Sequence, residues 1–149
     1  MTSSDRSRYR QYAALPYRAG RNGLEILLIT SRGSGRWIIP KGWPVVGLSP
    51  SKSAAREALE EAGVTGNIST DSIGAYSYDK RLANDTTRSC DVAVFALEVI
   101  EEHDTWPEQH QRRREWLSVE EAGQRISEAE VRPLMEKLRE QLAARKPQR

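Results

Sequence analysis

Three glutamates crowd a single helical turn of this chain, and few folds can accommodate them. Residues 56–64 read Arg-Glu-Ala-Leu-Glu-Glu-Ala-Gly-Val. On a helix Glu57, Glu60 and Glu61 stand at i, i+3 and i+4, so they share one face with Cβ atoms about 5–6 Å apart. Like charges that close repel one another. A divalent cation relieves the repulsion, and Mg²⁺ in particular takes hard oxygen ligands. Glutamates at helical spacing ordinarily mark a solvated face, but the flanks here argue for a built site. Ser49-Pro50 supplies a hydroxyl cap and a proline in the first turn, and Gly63 supplies a stop. Ala55, Leu59 and Ala62 form the stripe expected to face a core. Upstream, Trp37-Ile38-Ile39 reads as a short buried strand running into Pro40-Lys41-Gly42. A strand, a glycine-containing loop and an acidic helix therefore follow one another.

The rest of the chain supplies alternating elements around that unit. Residues 12–18 read as a first strand, in which Pro16 suggests an edge or a bulge. Arg21-Asn22-Gly23 is a turn with hairpin character, and Leu24 to Thr30 is a β-branched second strand. Gly66-Asn67 is expected to break the chain, and Ile68 to Tyr78 to be extended. Asp91 to Ile100 is the strongest strand, and Arg113 to Leu117 a short one. Ser118-Val119-Glu120-Glu121 opens a helix with a capping box. Glu128 to Ala144 is a terminal helix with Val131, Leu134, Leu138 and Leu142 as its apolar stripe. This mixture predicts one α/β domain, a mixed sheet covered by helices on both sides.

Charge and cysteine content narrow the function. A net charge of +2 over 149 residues argues against a general nucleic-acid binder. No apolar run approaches the roughly 20 residues that span a bilayer, and residues 1–10 lack the apolar segment of a secretory signal. The single Cys90 cannot form an internal disulfide, which fits a reducing cytoplasm. It falls in a strand and is expected to be a small core residue. Residues 1–8 read as a flexible lead-in, 9–144 as the domain and 145–149 as a frayed tail. Arginine outnumbers lysine, and its planar fork binds phosphate bidentately.

The strand, loop and acidic helix resemble the Nudix hydrolase box, G-x5-E-x7-R-E-U-x-E-E-x-G-U, where U is a bulky apolar residue. Gly42, Arg56, Glu57, Glu60, Glu61, Gly63 and Val64 fall on the pattern at the right spacing. Leu48 stands where the pattern has its first glutamate. Beyond the box, Arg36-Trp37-Ile38-Ile39-Pro40 and Arg113-Arg114-Glu115-Trp116-Leu117 look like the branch that hydrolyses diphosphoinositol polyphosphates and diadenosine polyphosphates. The resemblance covers roughly residues 9–140. It implies an α/β/α sandwich with a central mixed sheet, and a pyrophosphohydrolase acting on a small polyphosphate.

The resemblance also implies roles for particular residues. Glu57, Glu60 and Glu61, with the Gly42 carbonyl, would hold Mg²⁺ or, in its place, Mn²⁺. Arg56 would orient the glutamates, and Glu57 is the first choice for the general base, with Glu115 or Glu120 as alternatives from outside the box. Substrate phosphates would meet Arg10, Thr30, Arg32, Lys41, Arg88, Arg112, Arg114 and Arg132. Trp43 would line the pocket mouth. Trp37 and Trp116 read as core aromatics, and His103 and His110 as surface residues. Two other readings stay open: another activity of the same family, on nucleoside triphosphates, RNA 5′ ends or sugar nucleotides, and a non-catalytic ligand sensor, which Leu48 invites.

Overall fold

The computed structural model describes residues 8–145. In chain order the elements are β1 (Arg8–Gly20), β2 (Gly23–Thr30), β3 (Trp37–Ile38), β4 (Lys41–Gly42), α1 (Pro50–Glu57), β5 (Val64–Ile68), β6 (Gly74–Arg81), β7 (Thr87–Glu102), β8 (Arg114–Ser118), α2 (Val119–Arg125) and α3 (Arg132–Arg145). A π-helical stretch, Ala58–Ala62, prolongs α1, and a 3-10 turn, Ala129–Val131, precedes α3. The expected lead-in and tail lie outside the described residues, save Arg8, which opens β1, and Arg145, which closes α3.

The described strands form one mixed sheet in the order β3-β2-β1-β7-β5, with β4 beside β1, β6 beside β7 and β8 beside β2. β1 and β7 run parallel, in register from Arg8 opposite Ser89 to Tyr17 opposite Glu98. The remaining pairs are antiparallel. Successive residues of a strand point to opposite faces, and the two long central strands are apolar on both. Ala13, Leu15, Ile26, Leu28, Val92 and Val94 meet Val119 and Ala122 of α2 and Met135 and Leu138 of α3. Ala14, Leu27, Ile29, Phe95 and Leu97 meet Ala54, Ala58 and Ala62 of α1 and its π extension. Helices thus cover both faces, which is the α/β/α sandwich that the sequence pattern predicts. Ser49 and Ser118 cap α1 and α2 as expected, accepting from Lys52 N and Glu121 N.

Four local expectations are corrected. Pro16 sits in a central strand, not at an edge. The strand tolerates it because the pairing of β1 with β4 ends at Ala13 and that with β2 begins at Tyr17. Ala14 N still donates to Pro40 O, so the missing N–H falls in the break between two ladders. Gly66 and Asn67 lie inside β5, at a register shift after Thr65. A Cβ on Gly66 would come 1.9 Å from Glu98 O, so that glycine permits close strand approach instead of ending the strand. The core-facing stripe of the acidic helix is Ala54, Ala58 and Ala62, whereas Leu59 is exposed. The helix is rotated so that Glu61 goes under cover, which turns Leu59 outward. Finally, the terminal helix proper begins at Arg132, four residues later than the stripe suggests.

Candidate active site

Three stretches of chain converge where the acidic helix meets β4. A Cβ built on Gly42 would lie 2.3 Å from Glu57 Cδ and 2.5 and 2.6 Å from its two oxygens. Only a glycine lets the Glu57 carboxyl rest there, which gives the Gly42–Glu57 spacing a steric meaning. Glu61, 8 % exposed, accepts a hydrogen bond on Oε1 from Lys41 N at 3.2 Å. Its Oε2 lies 3.5 Å from Arg112 Nη2. The π-helical turn that carries Glu61 is held from behind. Gly63, at φ +69°, donates to Leu59 O, as a left-handed helix terminator does. Arg114 donates to the carbonyls of Ala62, Gly63 and His103 and stacks 3.9 Å from the Trp106 ring centroid. Trp106 Nε1 donates to Glu61 O, and Glu108 N to Glu60 O. The loop between β7 and β8 therefore fixes the last turn of the acidic helix, and π-helical turns of this kind recur at functional sites.

Glu57 and Glu61 line a cleft of about 650 Å³. Its opposite wall and mouth carry Gln11, Arg32, Lys41, Trp43, Tyr78 and Lys80, and Glu108 and Arg112 close its end. Burial pushes the Glu61 carboxyl up to about 8; Arg112 pulls it back and the Glu57 charge pushes it further up. Burial also raises Glu57, against a hydrogen bond with Glu61 that lowers it. Two buried carboxyls thus share a proton near neutral pH. Burial lowers the Lys41 amine, which sits 5.1 Å from the Tyr78 ring centroid, and Tyr78 donates to Gln11 Oε1 at 2.6 Å.

The donor set suits a hard divalent cation. Two adjacent carboxylates that need a proton to coexist are chemically suited to exchange it for a metal ion. Among the described residues, however, no three His, Cys, Asp or Glu side chains converge closely enough to hold an ion between them. Glu60 is the reason: it pairs with Arg56 at 3.0 Å, and neither residue lines the cleft.

The basic residues expected around the substrate divide sharply. Arg32, Lys41 and Arg112 line the cleft. Arg112 is already committed there, donating to Glu108 at 2.7 Å and to Thr30 O at 3.1 Å besides facing Glu61. It positions Glu61 and leaves little for a phosphate. Thr30 is buried behind the cleft, and its hydroxyl accepts from Arg113 N. Arg114 is spent on backbone carbonyls. Arg132 donates to Gly123 O, between α2 and α3. Arg10 and Arg88 do not line the cleft either; strand alternation sends Gln11 inward in place of Arg10, and Arg88 lies 5.8 Å from the Tyr9 ring centroid. Neither Glu115 nor Glu120 reaches the site: Glu115 pairs with Arg125 and Glu120 with Arg139. Leu48 is half-buried and does not line the cleft.

Sequence reasoning missed Gln11, Tyr78, Lys80 and Glu108. Gln11 had a signal, a polar side chain in phase with Ala13 and Leu15 on an inward strand face. Tyr78 and Lys80 share a period of two on β6 and could have been paired by it. Glu108 lies in an irregular loop and carried none. Cys90 is a buried free cysteine, at the expected kind of position.

Comparison with known proteins agrees with this geometry. The family profile described as NUDIX domain matches residues 9–141. Nudix hydrolase 21 of Arabidopsis thaliana, described as chloroplastic, is 34% identical over 133 residues, covering 86% of this chain and 65% of its own length. Mouse diphosphoinositol polyphosphate phosphohydrolase 3-alpha is 32% identical over 112 residues, covering 74% of this chain and 64% of its own. The chain thus spans less than two thirds of the length of these relatives. Among solved structures, a binary complex of C. elegans Ap4A hydrolase superposes with a TM-score of 0.67 at 24% identity, covering 91% of this chain and 98% of that one. The NUDIX domain of Shewanella oneidensis NrtR, complexed with ADP ribose, superposes with a TM-score of 0.68 at 16% identity over 91% and 88%. At these identities the likeness is one of fold.

Proposed function

The chain belongs to the Nudix family, and on that premise we propose that it hydrolyses a phosphoanhydride bond in a small polyphosphorylated molecule, with a divalent cation as cofactor. The observation that carries this reading is the Glu57–Glu61 pair, buried together against Gly42 in a cleft whose far wall holds Arg32, Lys41 and Lys80. A folding chain gains nothing from burying two carboxyls side by side; a hydrolytic site does.

Glu57 and Glu61, with the Gly42 carbonyl, would hold Mg²⁺ or Mn²⁺, and Glu60 would join them on leaving Arg56. The cation supplies positive charge against the phosphate oxygens and lowers the pKa of water. Arg32, Lys41 and Lys80 face the polyphosphate and stabilise the charge that spreads over its oxygens as the anhydride bond breaks. Glu57 accepts the proton of the attacking water; its carboxyl, raised by burial, is nearer the working pH than an exposed one. Glu108 is the acid from outside the box that stands in the cleft. Arg112 and the Trp106–Arg114 stack hold the carboxyl-bearing turn in place.

The test is phosphate release from a panel of dinucleoside polyphosphates, inositol pyrophosphates, nucleoside triphosphates and sugar nucleotides, with and without Mg²⁺ or Mn²⁺. Turnover that needs the metal supports the reading. Silence across the panel, with tight metal-independent binding of one member, would instead favour the non-catalytic sensor that Leu48 and the outward Glu60 invite. The unpaired Cys90 supports a reducing compartment such as the cytoplasm. Among the described residues no helix is long and apolar enough to cross a membrane.

A further inference from the structure

The mouth of the cleft is built differently from its interior. Trp43 projects from the box loop at 44 % exposure, directly after the Gly42 turn on which Glu57 rests. Pro44, Val45 and Val46 continue this lip, and Val46 is fully exposed. The indole is not loose: Tyr9 meets it edge-on, with ring centroids 5.3 Å apart at 86°. Lys80 Nζ lies 5.5 Å from the indole centroid. An exposed tryptophan held in place by another ring, with a cation at its side, is a surface suited to a planar heterocycle followed by phosphate.

Charge points the same way. The cleft is lined by Arg32, Lys41, Lys80 and Arg112 against Glu57, Glu61 and Glu108, and Arg112 is already bound to Glu108, Glu61 and Thr30 O. Only Arg32, Lys41 and Lys80 remain for the substrate. A ring phosphorylated on every carbon has no apolar face to offer Trp43 and far more charge than three cations match. A nucleoside polyphosphate has one planar base and one linear phosphate chain.

Resting on the hydrolase reading above, we propose that this cleft selects a nucleoside polyphosphate over an inositol pyrophosphate, with the base stacked on Trp43 and Lys80 meeting the first phosphates beyond the ribose. Trp43 is then a specificity-determining residue. Stacking a base on an aromatic side chain is worth about tenfold or more in affinity.

The experiment compares diadenosine tetraphosphate, 5-diphosphoinositol pentakisphosphate and inorganic tripolyphosphate on the intact protein and on Trp43→Ala and Trp43→Phe. The wild type is expected to prefer diadenosine tetraphosphate in kcat/KM. In Trp43→Ala its preference for that substrate over tripolyphosphate falls about tenfold, mainly through KM, and Trp43→Phe restores most of it. A higher kcat/KM on the inositol substrate, or a preference untouched in Trp43→Ala, overturns the proposal while leaving the hydrolase reading standing. If no substrate is cleaved, the hydrolase reading fails and titration calorimetry decides the rest. Weaker AMP binding in Trp43→Ala, with AMP bound more tightly than inositol hexakisphosphate by the wild type, supports the base platform; the reverse order removes it.

Discussion

Replacing Glu61 by glutamine should stabilise the metal-free protein and disable the metal-loaded one. The side chain is nearly isosteric, and its carbonyl can still accept from Lys41 N. In the folded chain burial lifts the Glu61 carboxyl from the usual carboxylate range to about 8. The folded state therefore holds a proton between about pH 4.5 and 8 that the unfolded chain has lost. Stability of the metal-free protein must fall as pH rises through that window, because the unfolded state binds fewer protons there. The largest cost, reached above pH 8, is roughly 5 kcal/mol for a shift of this size. The coupled partner Glu57 shares it, so Glu61→Gln should recover about 1–3 kcal/mol, or several degrees in Tm for a chain of this length. With metal the order inverts. A cation at a hundredfold over its Kd adds about 2.7 kcal/mol to the wild type, and the variant gains much less. The assay is thermal melting at pH 9 in EDTA and in Mg²⁺, alongside turnover, where we expect a loss of about 10²-fold or more in kcat. Should Glu61→Gln melt below the wild type in EDTA and respond equally to Mg²⁺, Glu61 would be a structural partner of Arg112 and the metal-site reasoning would fail.

Four further outcomes follow from the same geometry. Metal affinity, measured by calorimetry, should tighten as pH rises toward about 8, by up to about tenfold per pH unit, because the ion displaces the proton on Glu61; a flat profile from pH 6 to 8 would exclude that exchange. Gly42→Ala places a methyl against the Glu57 carboxyl and should cut kcat at least tenfold, with KM for the polyphosphate changed far less. Arg114→Ala removes three backbone hydrogen bonds and should lower stability by about 2–3 kcal/mol in urea melts; a rise in KM without loss of stability would return Arg114 to substrate binding. Leu48→Glu restores the family pattern at a position outside the cleft and should leave turnover within several-fold of wild type.

Much of the fold was legible because it depends on local chemistry. The hydroxyl caps at Ser49 and Ser118, the left-handed stop at Gly63 and the alternation in residues 24–30 and 91–100 all act within a few residues. They mark the elements wherever the chain places them. Pro16 misled because a proline's cost depends on which neighbour its missing N–H would have faced, and two separate partners flank that spot. The acidic helix was found but its rotation was not. Leu59 and Ala55 look like the apolar choice in isolation; burying Ala54, Ala58 and Ala62 brings the helix closer to the sheet and sends Glu61 inward with them.

The sequence by itself determined that a carboxylate-bearing helix follows a strand and a glycine turn, since spacing along the backbone dictates which side chains share a turn. It could name Gly42 and Glu57 together, though not the steric contact that links them. Tertiary structure alone decided the other half of the cleft. Arginines on different strands are equivalent in a list of residues, and folding separates them: Arg114 is drawn to the carbonyls of Ala62, Gly63 and His103, Arg112 to Glu61 and Glu108, and Arg132 to Gly123. Gln11, Tyr78, Lys80 and Glu108 come together from three distant parts of the chain, and no local rule links them. Charge acts through space, so which cations remain for a substrate is settled only once every other carboxylate and carbonyl has taken its partner.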